Sequence, residues 1–423
     1  MRIMCSGDLH IGRFPSDVPL TDRSLSVEAA WERAVVLALN EGVDAVVLTG
    51  DVADQDNKLF EALGPLRSGV ARLWAAGVRT IAVAGNHDYD VLRRLAGLVD
   101  AEAFTLLGTG GTWSTTLLER DGTPALRFVG WSFPTSHVRT SPLDTFPTLD
   151  PGPLTLGIVH GDLDQSASAY APLSRSALTS APVAGWLLGH IHKPLMETVD
   201  GTLLLYPGSL QPLDPGEAGA HGPWIVSLEP DGTVKASQRP EATIRYDRVD
   251  VDLSELDLLE DAETALTTTV DEHLNRLCLE QPALRHAVVD VHLRGRTGLF
   301  SSLPDLAESA TGQSVPGTSA EALIRRVHVD ARPAHDLEQV ALRNDPAGAS
   351  AALLLSLQAD DETARDLLDQ AVRTVRSVDA APAFSPLGRA VQHPEDAREA
   401  ARAVLIEQGY RLLDGLLSQL IDD

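Results

Sequence analysis

The sequence contains few cysteines, few aromatic residues and no long apolar run. Its two cysteines, Cys5 and Cys278, are far apart in the chain, which argues against a disulfide framework or a thiolate metal site. Aromatic residues make up 4% of the sequence, so we do not expect a surface of stacked rings for nucleic-acid bases. No run approaches the roughly 20 apolar residues that span a bilayer, and the amino end lacks a secretory leader pattern. We therefore predict a cytoplasmic protein that does not enter a membrane.

Basic residues are also scarce. The sequence has 34 lysines and arginines against 60 aspartates and glutamates, which gives a net charge of -26. Such a charge opposes binding to a polyanion, so contact with nucleic acid would depend on local arginines, bound cations or a partner protein. The acidity is compatible with a GC-rich genome or with a salt-rich cytoplasm, and composition alone does not separate these explanations.

The 423 residues, of which 43% are apolar, are enough for two or three domains with buried cores. In the first half, short β-branched runs such as residues 2–6 and 43–48 alternate with helical apolar patterns such as residues 26–41. This alternation predicts an α/β layered domain. After Gly201 the pattern changes to consecutive strands, and we predict that the first domain ends near Pro240.

Polar side chains follow the predicted strands at the points where the strands end. The segments GDLH, LTGD, GNHD, VHGD and GHIH contribute Asp8, His10, Asp51, Asn86, His160, His190 and His192. Because the carboxyl ends of neighbouring parallel strands meet at one crevice, we expect these side chains to surround a single site. Carboxylate and amide oxygens mixed with imidazoles, without thiolates, fit a pair of manganese, iron or zinc ions.

Each of these residues also has an ordinary structural explanation. An aspartate after Thr-Gly is commonly a turn or helix-cap residue, and a single histidine near a strand end is commonly a hydrogen-bonded surface residue. The complete set, in this order and with each block ending an apolar run, favours a metal site.

In this order, the five blocks resemble the calcineurin-like metallophosphoesterase superfamily. The resemblance implies a four-layer α-β-β-α sandwich around two divalent metal ions. The first ion would be held by Asp8, His10, Asp51 and His192. The second would be held by Asp51, Asn86, His160 and His190, so that Asp51 bridges the two.

The resemblance also implies two catalytic residues. His87 would face the scissile phosphate, where it would stabilise the transition state or protonate the departing oxygen. The neighbouring Asp88 is the candidate that orients the ring of His87.

A finer resemblance is to SbcD-type and related bacterial DNA repair exonucleases, the nuclease subunits that work with SMC-like ATPases. Asp54 follows Asp51 as in the bacterial enzymes, whereas archaeal and eukaryotic relatives carry a histidine there. The segment LYPGSLQPLDPGE from Leu205 is similar to a corresponding segment of the family. The implied architecture is a nuclease domain (1–240), a smaller α+β capping domain that helps to hold DNA (241–345) and a helical C-terminal tail (346–423). The concentrated basic groups of the capping region are Arg294, Arg296, Arg325, Arg326 and Arg332, for which ordinary ion pairing is the alternative.

The resemblance implies a manganese-dependent nuclease in double-strand break repair or DNA end processing. It would act as a 3′–5′ exonuclease on duplex DNA and as an endonuclease on single strands. The implied partners are DNA, a second copy of the chain and an SbcC-type ATPase. Two amphipathic helices predicted in the tail are similar to those that bind the ATPase in the family, unless they pack onto the capping region. Two other functions stay open: a phosphodiesterase for cyclic nucleotides or other small phosphodiesters, and a non-catalytic scaffold.

Overall fold

The structure is a computed structural model that describes residues 1–54, 58–229, 231–379 and 394–419. Two sheets form the first part of the chain. The strands up to residue 240 are, in chain order, β1 (Arg2–Ser6), β2 (Ala45–Leu48), β3 (Arg79–Ala82), β4 (Phe104–Leu106), β5 (Ser114–Arg120), β6 (Thr123–Trp131), β7 (Thr155–His160), β8 (Gly185–Gly189), β9 (Leu195–Val199), β10 (Thr202–Tyr206), β11 (Trp224–Leu228) and β12 (Val234–Gln238). The helices are α1 (Val27–Glu41), α2 (Lys58–Ala75), α3 (Val91–Ala96) and α4 (Arg175–Ser180), with 3₁₀ turns at Arg23–Leu25 and Pro142–Thr145.

The strand order is β12-β11-β1-β2-β3-β4 in the first sheet and β5-β6-β7-β8-β10-β9 in the second. Strands β1 to β4 run parallel, and so do β6, β7, β8 and β10, whereas antiparallel strands complete the edges. The carboxyl ends of the parallel strands in each sheet therefore point to one edge, where the connecting loops can assemble a site.

The alternation of side chains along the strands creates the layers. In β1, Ile3 and Cys5 lie in the core between the two sheets, whereas Met4 packs with Trp31 of α1 on the outer face. On the outer face of the second sheet, Trp186 packs with Leu178 of α4. Ser26 caps the start of helix α1, and its hydroxyl accepts the N–H of Ala29 at 3.2 Å. The structure confirms the α-β-β-α sandwich, with its fourth layer reduced to the short α4 and adjoining loops.

A second group of elements follows residue 240. The strands are β13 (Ile244–Asp252), β14 (His286–Arg294), β15 (Arg296–Thr297), β16 (Ser314–Pro316), β17 (Glu321–Val329) and β18 (Arg332–Pro333). The helices are α5 (Leu259–Glu280), α6 (Leu303–Ala310), α7 (Leu337–Ala341), α8 (Pro346–Ala359), α9 (Arg365–Asp379) and α10 (Pro394–Ser418), with 3₁₀ turns at Phe300–Ser302 and Glu362–Ala364. Strands β13, β14, β17 and β16 form a four-stranded sheet, so this region is α+β and is followed by helices, as expected.

The chain separates into two compact units. The first unit contains residues 1–251, 263–293 and 305–329, and the second contains residues 252–262 and 294–304 with the described part of 330–423. In the second unit, Leu413 of α10 and Leu354 of α8 share a core with Leu337 of α7. The division into 1–240, 241–345 and 346–423 stays a prediction. The linker predicted between the tail helices lies, from residue 380 onwards, outside the described residues.

Two of the capping-region arginines are ion-paired. Arg296 makes a bidentate contact with Asp414 at 3.1 and 2.9 Å, and its guanidinium lies 3.9 Å from the ring centroid of Tyr410. Arg325 pairs with Asp290. Among the described residues, none of the helices is both long and apolar enough to cross a membrane.

Candidate metal centre

The predicted ligands lie where the sequence pattern places them, at the carboxyl ends of strands. Asp8 follows β1, Asp51 follows β2, and Asn86 follows β3. His160 is the last residue of β7, and His190 comes directly after β8. All of these residues belong to the first compact unit.

The backbone turns sharply at four of the predicted ligands. Asp8, His10, Asp51 and His190 have φ angles of 48°, 51°, 49° and 98°, in the left-handed region that residues with a Cβ rarely adopt. Each such conformation costs on the order of 1–3 kcal/mol and persists only where the surrounding structure holds it. The concentration of this strain at the strand ends indicates a functional site.

Two glycines allow the strand ends to approach the His160 ring. A Cβ on Gly50, which has φ of 101°, would lie 2.6 Å from His160 Nδ1. A Cβ on Gly189 would lie 2.5 Å from the same nitrogen. Both distances are shorter than real Cβ contacts, so a larger residue at either position would displace the His160 ring.

One cluster of candidate ligands consists of Asp8, His10 and His192. The Nε2 atoms of His10 and His192 lie 3.1 Å apart. The His10 side chain is buried, and the His192 side chain is partly exposed. Asp8 is fully buried, and its carboxylate accepts the backbone N–H of His190 at 3.0 Å. This contact ties the loop after β1 to the loop after β8.

The second cluster consists of Asp51, His160 and His190, and Asn86 lies against it. The Nδ1 of His160 is 3.0 Å from the carbonyl oxygen of Thr49, so this nitrogen donates and Nε2 carries the lone pair of the neutral ring. Nε2 in turn lies 3.1 Å from Asn86 Oδ1 and 3.3 Å from Asp51 Oδ2, which are both acceptors.

This arrangement provides a test of whether a metal fits. When the His160 ring is neutral, the lone pairs of His160 Nε2 and Asp51 Oδ2 face each other at 3.3 Å in a buried place. Asn86 Oδ1, 3.1 Å from the same nitrogen, is a further acceptor, and of its two histidine neighbours only His190 Nδ1, also at 3.1 Å, can donate to it. Buried acceptors that face one another repel unless a proton or a cation lies between them. The donor set of imidazole, carboxylate and amide oxygen suits a divalent transition metal. The residues therefore fit a metal ion.

Burial and the close contacts among these charged groups shift the pKa values of His160, Asp51 and His190. Burial acts against the charged form of His160, but the charge of Asp51 and its hydrogen bond raise the pKa of His160 to about 9. Burial would likewise raise the pKa of Asp51, and the neighbouring His160 instead holds it well below its usual range. Burial and the charge of His160 lower the pKa of His190 to about 4. Where no cation is bound, a proton on His160 neutralises the Asp51 carboxylate.

His87 lies at the rim of the centre. Its side chain is 36% exposed, and its Nδ1 is 3.5 Å from Asp54 Oδ1. The same Asp54 oxygen is 3.4 Å from Nδ1 of His10. Burial lowers the pKa of His87, and the charge of Asp51 opposes that effect. His87 is thus a partly exposed imidazole beside the candidate ligands.

Asp88, which we expected to orient His87, makes its hydrogen bonds in the structure with backbone groups. Asp88 is fully buried, and its carboxylate accepts backbone N–H groups of Gly85 and Val52, both at 2.7 Å. Burial raises the pKa of Asp88 to about 7. Its carboxylate joins the loops after β2 and β3, and the carboxylate in contact with His87 belongs to Asp54 instead.

Sequence reasoning missed the contacts that three carboxylates make with the candidate histidines. Asp54 faces His10 and His87, Asp162 lies 3.4 Å from His190 Nε2, and Glu217 lies 2.7 Å from His192 Nδ1. The available signals were weak. Asp162 follows His160 closely in the segment HGD, and Glu217 is the last residue of the segment LYPGSLQPLDPGE.

The fold and the site define a metal-dependent phosphoesterase. The model of the calcineurin-like phosphoesterase superfamily domain matches residues 1–222, more than half of the 423 residues, and the chain belongs to this superfamily. The domain indicates a hydrolase that uses divalent metal ions, and the His/Asp clusters are where this chain would hold them.

Individual relatives are distant. The uncharacterized metallophosphoesterase YhaO of Bacillus subtilis is 22% identical over 271 residues, which cover 60% of this chain and 60% of YhaO. The DNA double-strand break repair protein Mre11 of Haloferax volcanii is 29% identical over 339 residues, which cover 77% of this chain and 67% of Mre11. A solved dimetal phosphatase from Danio rerio is 15% identical with a TM-score of 0.35, over 56% of this chain and 98% of that structure.

Proposed function

We propose that this protein is a dinuclear-metal nuclease that hydrolyses DNA phosphodiester bonds in double-strand break repair or DNA end processing. The proposed activities are 3′–5′ exonuclease on duplex DNA and endonuclease on single strands, with manganese as the metal. The observation that carries the proposal is the position of Asp51 between the clusters. Its Oδ2 lies 3.3 Å from His160 Nε2 and 3.9 Å from His10 Nε2, so one carboxylate can serve two ions.

In this proposal some side chains hold the metal ions and His87 contacts the phosphate. Two divalent ions, when bound, would stabilise charge on the phosphate and lower the pKa of water. Asp8, His10, Asp51 and His192 would hold one ion, and Asp51, Asn86, His160 and His190 the other. His87, exposed at the rim, would hydrogen-bond to the phosphate or protonate the departing oxygen. The backbone N–H of His87 donates to Asp51 Oδ1 at 2.9 Å, which fixes the rim to the centre.

DNA is the preferred substrate class because the resemblance continues past the catalytic region. The superfamily model ends at residue 222, whereas the match to the repair protein of Haloferax volcanii extends over 339 residues. A phosphodiesterase for small substrates would not account for similarity in these additional residues. The chain covers 67% of that relative's length, and the activity of the whole relative is transferred here only as a proposal.

The proposed partners are a second copy of the chain and an SMC-like ATPase of the SbcC type. Helix α10 exposes Val404 and Leu412, which are 51% and 57% accessible. Exposed apolar side chains on one helix suit a helix-in-groove interface with a partner.

The test is a cleavage assay with the purified chain. Labelled duplex and single-stranded DNA, a cyclic nucleotide and bis(p-nitrophenyl) phosphate are incubated with manganese, magnesium or a chelator. We expect manganese-dependent DNA cleavage that the chelator abolishes. Hydrolysis of the cyclic nucleotide without DNA cleavage would instead identify a small-substrate phosphodiesterase. Metal binding without hydrolysis of any of these substrates would contradict the proposal and favour a scaffold.

A further inference from the structure

A buried hydrogen-bond chain leads away from His192 on the side opposite the metal clusters. The Nδ1 of His192 lies 2.7 Å from Oε1 of Glu217. Glu217 is only 6% exposed, although it is an acid in a loop. Such a residue is kept buried only where its charge and its lone pairs are satisfied.

The second carboxylate oxygen of Glu217 is also occupied. It accepts the hydroxyl of Ser209 at 2.5 Å and the backbone N–H of Leu213 at 3.1 Å. Ser209 is itself fully buried, and its hydroxyl oxygen lies 3.0 Å from His221 Nδ1. The carboxylate of Glu217 is thus fixed from one side by the loop and contacts His192 from the other.

These contacts determine which nitrogen of His192 is available to a metal. An ionised carboxylate only accepts hydrogen bonds, so His192 Nδ1 must donate to it. The lone pair of the neutral ring then lies on Nε2, the atom that is 3.1 Å from His10 Nε2 in the cluster with Asp8. A carboxylate that holds a ligand histidine in this way fixes its tautomer and makes it a stronger ligand.

We propose that Glu217 is a positioning residue of the metal centre, which holds His192 with Nδ1 protonated and Nε2 directed at the ion. The proposal rests on the metal centre of the proposed function. It assigns a role to a residue that lies outside the set of predicted ligands and outside the rim with His87.

Glutamine cannot replace Glu217 without loss. The carboxylate accepts from three donors, on His192, Ser209 and Leu213. If the amide oxygen of glutamine faces His192, its NH₂ group faces the N–H of Leu213, so that two donors oppose each other and the N–H loses its acceptor. If the amide is turned around, its NH₂ group faces His192 Nδ1, which must then accept, so that the proton moves to Nε2 and blocks the ligand atom.

The experiment measures manganese binding to the metal-free full-length chain by isothermal titration calorimetry. We expect Glu217→Gln to weaken binding of one ion by about 10- to 100-fold, the usual effect of removing such a supporting carboxylate. The matched control is Asp247→Asn, which breaks another carboxylate–histidine contact, 3.3 Å from His273 Nε2, away from the metal clusters. Asp247→Asn should bind manganese like the wild type. A folded Glu217→Gln variant with wild-type manganese affinity would overturn the proposal.

A second measurement uses the wild-type chain and therefore does not depend on the folding of Glu217→Gln. In the zinc-loaded wild-type chain with ¹⁵N-labelled histidines, NMR reports which ring nitrogen of His192 carries the proton. The signal is assigned by its loss in His192→Gln. We expect a proton on Nδ1 and zinc on Nε2, and a proton on Nε2 would overturn the proposal.

These readouts separate this inference from the nuclease assignment. A wild-type chain that binds manganese, loses affinity on Glu217→Gln and cleaves no DNA would sustain the role of Glu217 and contradict the nuclease. A wild-type chain that cleaves DNA, together with a Glu217→Gln variant that binds manganese as the wild type does, would support the nuclease and contradict the role of Glu217. A wild-type chain that binds neither manganese nor zinc would overturn both.

Discussion

The carboxylate of Asp88 accepts the backbone N–H of Val52 at 2.7 Å, across 36 residues of sequence. This contact joins the loop that carries Asp51 to the loop that carries Asn86. Two candidate ligands from different strands are therefore held together by a buried acid that lies outside the set of predicted metal ligands.

We expect Asp88→Ala to lower the free energy of unfolding because it leaves the N–H groups of Gly85 and Val52 without an acceptor. Each buried unsatisfied group costs about 1–3 kcal/mol. Asp88→Asn keeps one acceptor oxygen and should cost less. Urea unfolding monitored by tryptophan fluorescence measures both variants. Equal stability of Asp88→Ala and the wild type would contradict the role of this contact.

His87→Gln should retain both metal ions and lose DNA cleavage, because His87 is proposed to contact phosphate and not metal. Loss of one general acid lowers the rate by about a hundredfold to ten-thousandfold. Metal content is measured by elemental analysis and cleavage by product release from labelled DNA. His328→Gln, a half-buried histidine on β17, is the control and should cleave normally. Loss of metal together with activity in His87→Gln would show that His87 is a ligand.

Asp51→Asn should reduce the occupancy of both ions, since the same carboxylate oxygen approaches His10 and His160. Binding of manganese is titrated by calorimetry, with stoichiometry as the readout. Loss of a single ion, with the other retained at full affinity, would place Asp51 at one cluster only.

Replacing Val404 and Leu412 of α10 by aspartate should abolish association with an SMC-like ATPase and leave DNA cleavage unchanged. Both side chains are about half exposed, so the fold does not depend on their burial. Point variants are sharper than removal of residues 346–423, because Leu413 is fully buried and packs with Leu337. Leu279→Asp on α5, an 85% exposed leucine, is the control. Copurification of the double variant with the ATPase would place the interface elsewhere.

The pairing of Asp414 with Arg296 should make part of the stability depend on pH. Burial would raise the pKa of Asp414, but the hydrogen bonds from Arg296 and His335 hold it below its usual range. An acid with a lowered pKa in the folded state stabilises above its unfolded pKa of about 4, and this contribution is lost as the pH falls.

Asp414→Asn should therefore be less stable than the wild type at pH 7, by about 1–3 kcal/mol for a hydrogen-bonded charge pair. The difference should shrink as the pH falls below about 4, the unfolded pKa of aspartate. Urea midpoints measured across this range test the prediction. A difference that does not change with pH would show that the charge of Asp414 is irrelevant.

Sequence alone predicted the α/β layers and the candidate ligands at one edge of the sheets, and the family resemblance added the four-layer sandwich. Short apolar runs such as β1 and β7, which are buried on both faces and followed by glycine and a polar group, indicate parallel strands with a shared edge. This inference works because parallel strands place their carboxyl ends at one edge, whatever the details of packing. Residue type then limits the chemistry at that edge, and the carboxylate, imidazole and amide of Asp51, His160 and Asn86 favour a metal site.

Tertiary structure decided the roles of the acids around that set. Asp88 and Asp54 both follow strand ends, yet one binds backbone N–H groups and the other faces His87. The tail shows the same limit, because sequence spacing alone makes Asp360 and Asp361 equally suited to cap the helix that follows them. In the structure Asp360 ends α8 with φ of 53°, and Asp361 caps the next turn through the N–H of Thr363. A carboxylate's partner is set by which donors the folded chain brings within about 3 Å, and sequence spacing does not contain that distance.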